Sequence, residues 1–172
     1  TSFGAVDYGS MSFMHNTLNT KLIILQFGGN SVPYFKDSSA VRNYAYRFKK
    51  QIEYVKSCSK NAAIIVIGPS DMAQYKEGIY STYKFLPYCV DQMKKQSLVS
   101  GASYWDLYDA MGGQNSMFAW VKNGLAGKDY VHFSNKGASK ASQLFYNALI
   151  SAYKQWENNK ILIKKKVNDN KE

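Results

Sequence analysis

Cysteine is scarce in this chain. Only Cys58 and Cys89 occur in 172 residues, which rules out a disulfide framework, and no CxxC or Cys/His pattern has metal-ligand spacing. The sequence therefore asks for no metal or other cofactor. Long apolar runs are also missing, since nothing approaches the ~20 residues of a membrane-crossing helix. Acids are few, 12 Asp and Glu against 22 Lys and Arg, for a net charge of +10. Such an excess would suit nucleic acid, an anionic polymer or a membrane surface. It is spread, however, over a helical pattern with Arg42, Arg47, Lys49, Lys50 and Lys56 and a tail with Lys160, Lys164, Lys165 and Lys166. No nucleic-acid recognition motif accompanies it, so the reading is a solvated basic face without a nucleic-acid partner. The first residue is Thr1 and no signal peptide can be read, so the expectation is a chain processed or cut from a longer one.

What is present suits one domain, because 45% hydrophobic and 15% aromatic residues supply a substantial core. The expected boundaries are 1–157 for the domain and 158–172 for a charged tail or edge strand. Met11 to Leu18 reads as a short helix. Lys21 to Phe27 is almost continuously apolar, the mark of a strand buried on both faces of a parallel sheet, and Gly28-Gly29 ends it. Asp37 or Ser38 caps a helix whose Val41, Ala45, Phe48, Ile52 and Val55 form one apolar stripe. Ala62 to Ile67 is a second buried strand, stopped by Gly68-Pro69. A tyrosine-rich loop then leads to a helix at about Thr82 to Gln96. Ser103 to Tyr108 reads as a third strand, Ser116 to Lys122 as a short helix, and Ser134 or Asn135 as the cap of a last helix with small residues on one face.

Alternating strands and helices with short connections give right-handed crossovers, and hence a three-layer α/β sandwich around a parallel sheet. Ligands of such sheets bind beyond the carboxyl ends of the strands. Gly28-Gly29-Asn30, Gly68-Pro69-Ser70-Asp71 and the loop before the last helix converge there. That loop carries Asp129-Tyr130-Val131-His132, an acid three residues before a histidine. Such a pair can supply a base near neutral pKa and a carboxylate that orients it. Taken alone, Asp129 is more often a turn cap and His132 an ordinary loop residue, just as Asn30 alone is a residue tolerant of tight turns.

In combination these residues resemble the SGNH hydrolases, the GDSL-like esterase and lipase family. Gly28-Gly29-Asn30 after a strand matches the family's G-x-N block. Asp129-Tyr130-Val131-His132 before the final helix matches its D-x-x-H block, and Gly68-Pro69-Ser70 resembles the segment between. The resemblance covers about Lys21 to Tyr153. It implies a flavodoxin-like SGNH architecture and ester hydrolysis by a Ser-His-Asp mechanism. His132 would be the base, Asp129 its orienting acid, and the Asn30 amide an oxyanion donor. Gly4 would stand in the second block as a further oxyanion donor through its backbone N–H. A small ester or acylated carbohydrate is the implied substrate, and a secreted or periplasmic setting the implied location.

The family's nucleophile is the serine of a G-D-S motif after the first strand, and no G-D-S occurs in this chain. Tyr8-Gly9-Ser10-Met11 is the nearest imitation, but too few residues separate Ser10 from Asn30 to hold two strands and their crossovers. The first strand, its serine and the second strand are thus expected upstream of Thr1, and the chain by itself is expected to be nearly inactive. One edge of the Leu22 strand would be open, covered by a dimer contact, a swapped segment or the amino-terminal residues. The lack of a nucleophile also keeps open a non-catalytic binding module on a hydrolase scaffold. Tyr75, Tyr80, Tyr83, Tyr88 and Trp120 are either sugar-stacking or packing residues. Cys58 closes one helix and Cys89 begins the next, so the two are expected as free thiols at opposite ends of the sheet.

Overall fold

The computed structural model describes the backbone of residues 6–169 and side chains as far as 161. Its centre is a three-stranded sheet of β1 (Leu22–Gln26), β2 (Ala63–Ile67) and β5 (Ser103–Trp105), in the order β1-β2-β5 and parallel throughout. Leu25 lies opposite Val66, and Val66 opposite Tyr104. The first crossover is α2 (Ser38–Cys58). The second passes through an antiparallel hairpin of β3 (Ala73–Lys76) and β4 (Ile79–Thr82) and then α3 (Leu86–Val99).

The Asp37 carboxylate starts α2 by accepting the Ala40 N–H at 2.8 Å, satisfying a donor that the first turn leaves unpaired. Val41, Ala45, Phe48, Ile52 and Val55 are all buried and join Leu25, Ile64, Val66, Leu86 and Met93 in the main core. Burying a side chain such as Phe48 or Ile52 contributes about 1.5–3 kcal/mol. The opposite sheet face, through Ile67 and Trp105, packs with Ala141 and Leu144 of α6 (Asn135–Asp169) and with the short helices α4 (Leu107–Met111) and α5 (Ser116–Lys122). These helices complete the three layers. Among the described residues β1 has no strand on its outer edge, and Leu22 and Ile24 are exposed.

The amino-terminal helix α1 (Tyr8–Thr17) is capped by Asp7 and packs on the carboxy-terminal end of α2, where the Tyr8 hydroxyl donates to the Ser57 carbonyl at 3.3 Å. Cys58 and Cys89 are buried and free. Burial pushes the Cys89 thiol up to about 12, which makes it a poor nucleophile.

Four expectations need correction. The third strand ends at Trp105 rather than Tyr108, because the Asp106 carboxylate accepts the Asp109 N–H at 3.0 Å and opens α4. The tyrosine-rich loop holds the hairpin, whose turn Glu77-Gly78 has positive φ at both residues, the twist that suits a two-residue hairpin connection. Thr82 closes that hairpin, so α3 starts at Leu86 with Pro87 in its first turn. Residues 158–169 continue α6 as helix rather than forming an edge strand, and every side chain from 151 to 161 is exposed.

Candidate functional site

The carboxyl ends of the three parallel strands, at Gln26, Ile67 and Trp105, form one rim. After β1 the chain turns at Gly28, whose φ of 109° would strain any L side chain and whose added Cβ would meet the Met93 sulfur at 2.8 Å. A 3-10 turn over Gly29–Tyr34 follows and presents Asn30, which is exposed. Asn30 lines a cleft of about 810 Å³ with Gln26, Gly28, Pro69 and Ser70. Gln26 also lines a cavity of about 220 Å³ with Ile67, Trp105, Phe133 and Ala138. Gln26 lines both cavities, whereas Asp129 and His132 are among the lining residues of neither.

Asp129 and His132 form a hydrogen-bonded pair, with Nδ1 of the imidazole 2.8 Å from Oδ2 of the carboxylate. The other carboxylate oxygen accepts the backbone N–H groups of Val131 at 3.0 Å and His132 at 3.1 Å. One side chain thus fixes both the ring and the loop that carries it. The His132 hydrogen bond, followed by the two backbone donors, lowers the Asp129 carboxyl to about 2. Donating Nδ1–H to a carboxylate leaves Nε2 as the acceptor nitrogen of a neutral ring. The His132 side chain is 81% exposed, so that nitrogen is accessible.

The loop is braced from both sides. The Gly127 N–H donates to the His132 carbonyl at 2.8 Å, and the Tyr130 carbonyl accepts the Ala73 N–H of β3 at 3.0 Å. Tyr130 sits at φ 59°, a left-handed conformation unusual for a bulky residue. Its ring stacks on Tyr80 of β4 at 4.1 Å and meets Phe118 of α5 at 5.4 Å. The hairpin is tied in turn to α5 through Asp71, which is fully buried. The Asp71 carboxylate accepts the Met117 N–H and the Thr82 hydroxyl, each at 2.8 Å. Burial pushes its carboxyl up, and the hydrogen bonds from Met117 and Thr82 oppose that.

Ser134 caps α6, as the sequence reading allowed. Its hydroxyl accepts the Gly137 N–H at 3.1 Å and donates to the Gly124 carbonyl at 2.7 Å, so it is committed to structure. Gly137 is required beside it, because a Cβ there would lie 1.7 Å from the Leu125 carbonyl oxygen. Ser10 sits on α1 beside the carboxy-terminal end of α2, away from the rim. Ser70 lines the Asn30 cleft. Among the described residues no serine hydroxyl is hydrogen-bonded to His132. Gly4 lies outside the described residues.

Of the aromatics named from sequence, Tyr75 and Tyr80 pack together at 4.9 Å beside the Asp129 loop. Tyr83 and Tyr88 pack against the main core, and Trp120 is buried with its indole N–H donating to the Met111 carbonyl. Sequence reasoning missed Tyr130 and Asp71. The Glu-Gly turn between alternating residues was a usable signal for the hairpin, whereas nothing local marks Asp71 as buried. Among the described residues no three of His, Cys, Asp and Glu converge to hold a metal ion, and no helix is long and apolar enough to cross a membrane.

No protein-family model matches the sequence, and a search of curated proteins finds no match. Among solved structures, the chain is similar to a peptidoglycan O-acetylesterase described as "in action, 5 min", with a TM-score of 0.74 and 22% identity. The similarity covers 86% of this chain and 41% of that one, so the chain spans less than half the length of the structure it matches. The likeness shows the fold, a parallel three-stranded sheet flanked by helices.

Proposed function

We propose that this chain forms the acid–base and oxyanion side of an ester hydrolase that acts by a Ser-His-Asp mechanism and deacetylates a carbohydrate. The observation that carries the reading is the 2.8 Å bond between Asp129 and His132 Nδ1, which leaves Nε2 of an exposed ring free to take a proton. In this reaction a serine hydroxyl attacks the ester carbonyl carbon as Nε2 takes its proton. Asp129 stabilises the imidazolium, and the Asn30 amide N–H donates to the oxyanion of the tetrahedral intermediate. Collapse expels the sugar alkoxide, which receives the proton from Nε2, and water repeats the sequence on the acyl-serine. A fixed donor at the oxyanion is worth ~3 kcal/mol of barrier. The nucleophile in this reading is a serine of a Gly-Asp-Ser segment that joins the site from upstream. Likeness to a peptidoglycan O-acetylesterase supports an acetylated carbohydrate as the substrate class.

The test is hydrolysis of p-nitrophenyl acetate by the chain alone and by a version extended upstream through a Gly-Asp-Ser segment, each beside its His132→Ala variant. Activity confined to the extended protein and abolished by His132→Ala is the expected result. An extended protein indifferent to that substitution would remove the hydrolase reading. A second reading, a non-catalytic binding module on the same scaffold, is favoured by the absence of a serine partner at His132 among the described residues. It requires both forms to be inactive yet still to bind the glycan.

A further inference from the structure

The cleft at Asn30 does not end there. It continues into a second cleft of about 610 Å³, and the two share Ser31, Tyr44 and Arg47 as lining residues. Tyr44, Arg47 and Gln51 follow one another along α2 at helical spacing, beside the buried stripe. The basic residues of this helix differ sharply in what they do. Arg42 donates to the Ser38 and Tyr88 hydroxyls. Lys49 and Lys50 pair with Glu53, and Lys56 donates to the Ser100 carbonyl. The acids of this region are likewise occupied, Asp37 as the helix cap and Glu53 by its two lysines. Arg47 alone among these cations has no hydrogen-bond or ion-pair partner among the described residues, and it stands where both clefts meet. Gln51 lines the same cleft, and its buried Oε1 has no hydrogen-bond partner among the described residues. Exposed rings of Tyr34 and Tyr46 form the outer wall.

An unpaired guanidinium presents a planar fork that fits a carboxylate through two parallel hydrogen bonds. Tyrosine faces accept the C–H face of a pyranose, and their hydroxyls and the glutamine amide suit sugar hydroxyls. We infer that this double cleft binds a carboxylate-bearing sugar of an acidic glycan, with Arg47 on the carboxylate and the ester-bearing end of the ligand at Asn30. The inference rests on the esterase reading and narrows its substrate to an acidic carbohydrate ester. The net charge of +10 favours the encounter with such a polymer at low salt.

Binding is measured by calorimetry in a His132→Ala background, so that turnover plays no part. The probes are trigalacturonate and its fully methyl-esterified form, which keeps the sugar and removes the charge. The acidic trimer is expected to bind at least about tenfold more tightly than the ester, the size of a charge-assisted hydrogen bond, and to weaken as salt rises. Arg47→Gln should remove that preference and Arg47→Lys restore part of it. Lys154→Gln, which deletes the same charge on the exposed end of α6, should leave it within twofold. Equal affinity for the two trimers, or an equal loss in Arg47→Gln and Lys154→Gln, would overturn the inference. The esterase reading fails separately, through His132-independent hydrolysis of p-nitrophenyl acetate.

Discussion

Asp71 is the hinge between the hairpin, α5 and the loop that carries Asp129 and His132, and Asp71→Ala tests that coupling. Its fully buried carboxylate accepts two short hydrogen bonds, from the Met117 N–H and the Thr82 hydroxyl, and a longer one of 3.4 Å from Ser116. Thr82 retains an alternative acceptor in Asn115 Oδ1 at 3.3 Å, but removing the carboxylate takes away the side-chain acceptor of the Met117 N–H. A buried donor left without a partner costs about 1–3 kcal/mol, and the charged bond to Thr82 adds about 1 kcal/mol or more. Release from burying a carboxylate offsets part of this, so the expected net loss is about 3 kcal/mol. At this chain length that lowers Tm by roughly 6–12 °C. Asp71→Asn keeps one acceptor oxygen for Met117 and turns its amide to the Thr82 hydroxyl oxygen, so it should cost about 1 kcal/mol. Because burial raises the carboxyl above 3.8, the folded state holds a proton that the unfolded chain releases. The group's contribution is greatest below pH 3.8 and declines as pH rises through the folded value, a slope that Asp71→Asn should abolish. Calorimetry with hydrogen exchange of residues 73–82 reads both effects. An Asp71→Ala protein within about 0.5 kcal/mol of wild type and with unchanged hairpin exchange would refute the coupling.

The Asp129 carboxyl carbon should titrate by NMR near 2, so its contribution to stability is present above the ordinary 3.8 and is lost as pH falls toward 2. A midpoint at or above 3.8 would contradict the hydrogen bonds drawn to it. In an active form of the protein, Asn30→Ala should lower kcat about 10²–10³-fold with little change in KM, whereas a loss confined to KM would assign Asn30 to binding. Deleting residues 166–172 should move Tm by less than about 2 °C, the usual size of a surface effect, and a drop of ten degrees would show that this end of α6 is needed for the fold.

The parallel sheet and its main helices were legible because each is written in a local period. Leu22 to Phe27 and Ala62 to Ile67 are apolar runs of strand length closed by glycine, and the stripe from Val41 to Val55 has helical spacing, with Asp37 at the capping position. Where the reading slipped, a single polar side chain outweighed composition. Asp106 converts the end of an aromatic run into a helix start by accepting the Asp109 N–H. Asn158 onward is too charged to suggest packed structure, yet Lys, Ile and Leu are adequate helix formers, and α6 continues through them to Asp169 although the side chains of 151–161 are all exposed.

For the site, spacing foretold the bond between Asp129 and His132 but not what holds it. An acid three residues before a histidine closes this bond only if the intervening backbone turns tightly, and Tyr130 achieves that turn in a left-handed conformation that costs of order 1 kcal/mol or more. The strain is held by partners remote in sequence, the Ala73 N–H on the Tyr130 carbonyl and the Tyr80 ring on its side chain. Those partners depend on the hairpin, and the hairpin depends on Asp71. The geometry of the imidazole is therefore maintained by a chain of contacts from a buried carboxylate through β3 and β4 to the loop. A four-residue motif could not have disclosed that chain, because every link in it is a pairing between segments that only the fold brings together.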